Sequence, residues 1–301
     1  MYVVLGGAGF IGTAICHELR RRELPVWSLA RSEVDYTRAD VLLRHLRGRQ
    51  VRGVINAAGF TGQPNVDACE LARAECLAAN ALLPGTIRAV CEELQIPWGH
   101  VSSGCIYTGA RADGSGFRES DPPNFSFRQN NCSFYSGCKA LGEELLEGAE
   151  RCWIWRLRIP FNHQNSDRNY ISKLLRYSRL LDARNSLSQL DEFAAACVDC
   201  IERQVPYGIY HLTNPGSVTT RDVVRLIRQT GLSGKDFSFF ESEEEFMQLA
   251  AKTPRSNCVL DTQKAAAAGL KMTPVEEALE RAMKGLRGGG RVEDGGLRFE
   301  V

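Results

Sequence analysis

No apolar run in this chain approaches the roughly 20 residues that a helix needs to cross a bilayer. Its charge has no bias either: 37 Lys and Arg stand against 36 Asp and Glu. The first absence argues against a membrane span, and the second removes the electrostatic reason to bind nucleic acid or an anionic surface. No internal repeat is visible, and no secretory leader precedes the opening run Tyr2-Val3-Val4-Leu5. The 11 cysteines lack paired metal spacing. Cys197 and Cys200 form one C-x-x-C, but residues 193–201 around them read as a helix, so core packing is favoured over redox or metal work. These absences predict a protein of the reducing cytoplasm, with free thiols and no metal.

What remains is an ordinary balance of 44% hydrophobic and 24% charged residues over 301 positions, enough for a sizeable core. Short apolar runs at residues 2–5, 25–30, 51–57, 98–102 and 152–157 read as strands. Between them, residues 10–22, 67–82, 84–94 and 135–150 read as helices. Such alternation predicts an α/β fold, a doubly wound parallel (Rossmann) sheet, whose ligands bind beyond the carboxyl ends of the strands. The pattern loosens after Pro160. Helices are expected at 169–177, 192–204, 219–229 (capped at Thr219-Thr220) and 272–286 (opened by Thr273-Pro274), with a strand at 208–212. The organisation that follows is a dinucleotide-binding domain over 1–158, with a return near 185–212, a smaller substrate-binding region over 159–287, and a flexible glycine-rich tail over 288–301.

Gly6, Gly9 and Gly12 stand between the first strand and the first helix with G-x-x-G-x-x-G spacing. Glycine permits the tight turn and lets backbone approach a pyrophosphate, which then meets the free amides and positive dipole end of the helix at Phe10 and Ile11. The second strand ends Ser28-Leu29-Ala30-Arg31-Ser32, with no acid to bond the adenosine ribose hydroxyls. Arg31, with Ser32, therefore favours the 2′-phosphate of NADP(H). The competing reading makes Arg31 a solvated surface charge and admits NAD(H) as well. Asp35 or Asp40 would border the adenine. Asn56-Ala57-Ala58-Gly59 ends a further strand, and its small residues suit the nicotinamide ribose.

Tyr135 and Lys139 have Y-x-x-x-K spacing, which places them on one helix face. An ammonium group beside a phenol should lower the phenol's pKa toward neutrality, fitting it to pass a proton while hydride moves at the adjacent carbon. Ser103, at the end of a strand, supplies a hydroxyl donor to the same oxygen. A thiol two residues later, Cys105, would stand over the substrate ring.

These residues together resemble the extended short-chain dehydrogenase/reductase family over roughly residues 1–285. The resemblance implies a nucleotide sugar as substrate, a helix-distorting role for Asn80, and a cofactor site that takes in Pro160. It narrows on the stretch Asn56 to Asp67, on Gly104-Cys105-Ile106, Pro123-Asn124-Phe125, Arg168-Asn169-Tyr170-Ile171, Asn185-Ser186-Leu187 with Leu190-Asp191-Glu192, and Thr213-Asn214-Pro215-Gly216. These are similar to the nucleotide-rhamnose epimerase/reductases, which convert UDP- or dTDP-4-keto-6-deoxyglucose, and in mechanism to dTDP-4-dehydrorhamnose reductase and GDP-fucose synthase. Cys105 and Lys173 are then implied to exchange protons at sugar carbons 3 and 5, with His163 as another candidate acid. Thr61, Gly104, Asn162, Arg168, Asn169 and Asp191 are implied to line the sugar or diphosphate. Extra residues at 126–133 depart from the family pattern and are expected beside the substrate mouth. A homodimer through the Tyr135 helix is also implied.

Two other readings remain open. A nucleotide-sugar 4-epimerase or dehydratase would retain NAD, but Gly104-Cys105 lacks the acids that dehydratases carry after the serine. A regulatory subunit that binds NADP without catalysis, like that of methionine adenosyltransferase, would not need Ser103, Tyr135 and Lys139 together.

Overall fold

The computed structural model describes residues 1–63 and 65–288. Six strands form a single parallel sheet: β1 (Tyr2–Leu5), β2 (Val26–Leu29), β3 (Gly53–Asn56), β4 (Trp98–Ser103), β5 (Cys152–Leu157) and β6 (Gly208–His211). They run in the order β2-β1-β3-β4-β5-β6, every neighbour parallel. The order reverses between β1 and β3, so a crevice opens where the loops after these two strands part, the usual ligand position of such sheets.

The period of two along each strand divides the core. Tyr2 and Val4 face one layer with Ile55, Trp153 and Trp155, against α1 (Phe10–Arg21) and α7 (Leu190–Glu202). Val3 and Leu5 face the other with Val54, Trp98 and Ile154, against α2 (Ala39–Leu46) and α4 (Leu83–Glu93). Burial on both faces explains why these strands read as continuous apolar runs. Gly99 gives way to an indole: a Cβ there would lie 1.9 Å from the Trp155 ring.

The C-terminal part builds a third cluster from Phe161, Ile171, Leu174, Val223, Ile227, Leu279 and Met283. It rests on α6 (Tyr170–Arg176), α8 (Thr220–Gln229) and α11 (Val275–Gly288). Thr219 caps α8 in a reciprocal box with Asp222. Two-residue strands pair here apart from the main sheet, Pro160–Phe161 with Ser188–Gln189.

Three expectations need correction. The helix read over 67–82 is instead a 3-10 turn (Val66–Glu70), a short α3 (Arg73–Leu77) and a π turn (Ala78–Leu82). The helix read over 135–150 is α5 (Phe134–Glu144), shorter at its C-terminal end. Gly288, read as the start of the tail, closes α11, and the rest of that stretch lies outside the described residues. Cys197 and Cys200 are fully buried in α7 with free thiols. Among the described residues no helix is long and apolar enough to cross a membrane.

Candidate active site

The loop after β1 is shaped by close approach. Gly6 has φ +72°, and a Cβ there would lie 2.6 Å from the Ala58 backbone. A Cβ on Gly12 would lie 2.2 Å from the Gly6 carbonyl oxygen. Gly9 is the N-cap of α1 and has no side chain to bond the amides at Phe10 and Ile11, and the first turn carries no acid. The cradle therefore fits a diphosphate, which would receive those amides and the positive helix end. Arg31 and Ser32 are exposed beyond β2, open to a 2′-phosphate. Asp35 is bonded to Thr37, and Asp40 is paired with Arg38 and Arg44.

Opposite the cradle, the end of β3 is held from below. Asn56 is fully buried; its amide bonds His100 Nδ1 (3.0 Å), and its carbonyl accepts the Ala58 N–H (3.1 Å). It shapes the turn and leaves Ala57, Ala58 and the exposed Gly59 to face a ligand. A Cβ on Gly59 would lie 3.0 Å from Asn80 Oδ1 and 3.7 Å from Lys139 Nζ. The turn, the π element and α5 thus meet at one point.

Asn80 makes that meeting. Its Nδ2 donates to the Phe60 and Cys76 carbonyls (2.7 and 3.1 Å), and its Oδ1 accepts from the Phe60 N–H (3.3 Å). An amide at this place competes with the helical ladder, and the backbone widens to a π turn, a feature common at functional sites. The α5 helix packs against it through Gly142, where a Cβ would lie 2.3 Å from the Asn80 carbonyl.

Tyr135 and Lys139 lie on α5. Lys139 is buried, its Nζ donates to the Val101 carbonyl (3.3 Å), and burial holds its pKa below the ordinary lysine value. Tyr135 departs from expectation. Burial pushes its phenol well above the ordinary value, Cys105 adds to the rise, and Arg158 opposes it. Desolvation outweighs the Arg158 cation here. Ser103 closes β4 and accepts the Cys105 N–H (3.2 Å). The Cys105 thiol is raised by burial and drawn down by hydrogen bonds with Ser103 and Ser136, and by Arg158 and Lys139. Ser103, Cys105, Tyr135 and Lys139 therefore share one electrostatic neighbourhood at the carboxyl end of β4.

The opposite wall carries the candidate substrate residues. Arg168 donates to Thr61 Oγ1 (2.8 Å) and the Gly62 carbonyl (3.0 Å), joining two of them. Lys173 lies within reach of Arg168 and Arg176, and burial followed by these two cations lowers its pKa. A lysine so depressed suits proton transfer. Asn162 and Asn169 support rather than face: Asn169 is fully buried, caps α6, and donates to Asn162 and to the Gln164 carbonyl. Asp191 is half exposed and 3.5 Å from His163, which is itself half exposed. Pro160 follows Ile159, whose φ of +40° is rare for a β-branched residue.

The 126–133 segment takes a different place from the one expected. Its body packs on the far side of α5: Phe127 covers Gly137, where a Cβ would lie 2.2 Å from the ring, and Arg128 forms a two-pronged pair with Glu144 (2.8 and 2.7 Å). Gly137 is two residues from both Tyr135 and Lys139, hence on the helix face away from them. Cys132, near the end of the segment, comes within electrostatic reach of Cys105. Two surface cavities of about 320 Å³ lie on α8 and behind α5 against Phe127. Neither is lined by the residues that hydride chemistry needs.

The profile of one family, described as the RmlD substrate binding domain, matches residues 1–287. The chain belongs to that family. Among its relatives is the trifunctional UDP-glucose 4,6-dehydratase/UDP-4-keto-6-deoxy-D-glucose 3,5-epimerase/UDP-4-keto-L-rhamnose reductase of Arabidopsis thaliana. The two are 31% identical over 283 residues, which is 92% of this chain but only 41% of that protein's length. The bifunctional dTDP-4-dehydrorhamnose 3,5-epimerase/reductase of the same plant is 34% identical over 231 residues, covering 75% of this chain and 74% of its own. The solved L780 UDP-rhamnose synthase of Acanthamoeba polyphaga mimivirus shares the fold, with a TM-score of 0.86 at 24% identity, over 94% of this chain and 98% of that one.

Several residues of this RmlD-family site were not singled out in the sequence. Gly7 has no room for a side chain, since a Cβ would lie 2.2 Å from Ser28 Oγ. His100 looked like one more strand residue, yet it supports Asn56. Arg158 was hidden in the run Trp155-Arg156-Leu157-Arg158, where a charge at the end of an apolar strand was the available signal.

Proposed function

We propose that the chain reduces a nucleotide-linked 4-keto-6-deoxyhexose with NADPH, after 3,5-epimerisation, to give a rhamnose-type nucleotide sugar. The observation that carries this reading is the convergence of Tyr135, Lys139, Ser103 and Cys105 beside a glycine cradle. Similarity to epimerase/reductases over most of the chain supports it. Gly6, Gly9, Phe10, Ile11 and Gly12 would hold the diphosphate of the cofactor, Arg31 its 2′-phosphate, and Ala57 to Gly59 with Lys139 its nicotinamide ribose. When bound, NADPH supplies hydride to carbon 4. Ser103 holds the ketone oxygen and Tyr135 gives it a proton. Cys105 and Lys173 remove and return protons at carbons 3 and 5, while Arg168 with Thr61 steadies the sugar diphosphate.

We place this activity in the reducing cytoplasm, in keeping with 11 free cysteines. A homodimer through the α5 side of the molecule is supported by Leu82 and Leu145, which stay exposed there. The deciding experiment offers UDP- and dTDP-4-keto-6-deoxyglucose with NADPH and identifies products by NMR. The reading expects a 6-deoxy-L-hexose nucleotide from at least one donor. Turnover of neither donor with either nicotinamide would remove it. Purified protein carrying stoichiometric NAD would replace it with the retained-cofactor epimerase.

A further inference from the structure

Arg156 and Arg158 stand two residues apart at the end of β5 and are treated differently by the fold. Arg156 is 2% exposed and pairs with Glu143 through three contacts of 2.6 to 3.0 Å. Arg158 is 7% exposed and has no carboxylate within 4.0 Å among the described residues. Neutral groups satisfy one end of its guanidinium: NH2 donates to Asn185 Oδ1 (2.7 Å) and to the Ser256 carbonyl. Its Nε is buried without a partner. Both main-chain groups are pinned to Ser188, the N–H to Oγ (3.0 Å) and the carbonyl to the N–H (2.7 Å). The strained Ile159 follows.

A buried charge without a counter-charge is costly, and arginine cannot shed its proton to escape the cost. Folds keep such groups where negative charge must form. The position of Arg158 shows where. Its Cδ would lie 3.5 Å from a Cβ on Gly104, the residue between Ser103 and Cys105. The guanidinium stem therefore passes directly over the turn that presents the thiol. Cys258, bonded through its thiol to the Gly104 carbonyl (3.2 Å) and through its N–H to Asn185, closes the same turn from the C-terminal side.

We infer that Arg158 is the resident cation of this site, a positioning residue that holds negative charge as it forms on Cys105 and Tyr135. This rests on the reading of Cys105 as a proton-transfer group. The other groups facing the thiol are Ser103 on β4, Ser136, Tyr135 and Lys139 on α5, Cys132 before it, and Cys258. Lys139, the other cation, already donates to Val101. Arg158 has no competing anionic partner.

The test needs no sugar, so its outcome is separate from that of the proposed reaction. The full-length protein is alkylated with iodoacetamide across pH, and each cysteine is read by peptide mass spectrometry. In Arg158→Gln the midpoint for Cys105 should rise by about one pH unit or more, roughly a tenfold slower reaction at a fixed pH below it. In Arg158→Lys it should stay nearer to wild type. Cys132, which interacts with Cys105 and for which Arg158 is not among the leading influences, should keep its midpoint in both. If Arg158→Gln does not fold, Asn185→Ser releases the guanidinium instead and should raise the Cys105 midpoint by a smaller amount. An unmoved Cys105 midpoint in a folded variant of either kind overturns the assignment. So does an equal rise at Cys132, which would mark general loosening.

Discussion

Burial raises the proton affinity of both Tyr135 and Cys105, and Cys105 raises that of Tyr135 further. A resting site of this kind keeps both groups protonated and lets charge appear only in passing, when the ketone and the cations can share it. The two groups should then separate on mutation. If Tyr135 gives the proton as proposed, Tyr135→Phe should lower NADPH oxidation by about 10²–10⁴-fold. Deuterium uptake from solvent at carbons 3 and 5 should persist in that variant. Cys105→Ser should show the reverse, losing uptake while still oxidising NADPH with a ketone already epimerised. Full deuterium uptake in Cys105→Ser would take the thiol out of the mechanism.

At the scale of elements, the π turn at Ala78–Leu82 joins the β3 loop to α5. Asn80→Ala would leave the half-buried Phe60 amide and carbonyl without their partner. We expect a loss of about 1–3 kcal/mol in urea unfolding, together with a lower kcat, because Gly59 packs close to that side chain and lies beside Lys139. Unchanged stability and turnover would mean that the backbone holds the turn unaided. The same elements show what a sequence can and cannot reveal. The parallel sheet was legible because its strands are short apolar runs set off by glycine and by helical spacing, and β5 was read to the residue. The Tyr/Lys pair was legible because four-residue spacing maps directly onto a helix face. The break of 67–82 into three pieces was not, since it arises from one amide reaching a loop 20 residues away. The seat of residues 126–133 was hidden for the same reason. It depends on a ring finding Gly137 and on an ion pair with Glu144, contacts that leave no local pattern.

Across the whole molecule, one buried network joins the sheet to the C-terminal part, and it sets how the fold responds to acid. Arg156 on β5 bonds Glu143 on α5, the Tyr107 hydroxyl (2.9 Å) and His211 Nε2 on β6 (3.1 Å), while His211 Nδ1 meets the Asp261 carbonyl (3.1 Å). Arginine can only donate and a carbonyl can only accept, so the imidazole must be neutral with its proton on Nδ1. Protonation would set two donors against each other, and burial with Arg156 nearby lowers the His211 pKa from 6.5 to about 3. His100, buried beside Asn56 and within reach of Lys139, is likewise held well below 6.5. Between these values the unfolded chain binds protons that the folded chain refuses. Stability from these histidines is therefore complete above about pH 6.5 and is lost as pH falls toward 3. The carboxylates of Glu18 and Asp222 are held below their ordinary values by bonds to Arg21 and Thr219, so they lose their charge only in stronger acid than free carboxylates do. The interval from pH 6.5 to 5 thus isolates the histidines. Across it, urea unfolding should show a loss on the order of 1–2 kcal/mol from His211 alone. His211→Asn keeps a donor toward Asp261 but has no titrating ring; it should be less stable at pH 7.5 and fall less steeply toward pH 5. Equal slopes for the two proteins would show that the acid response comes from elsewhere than this network.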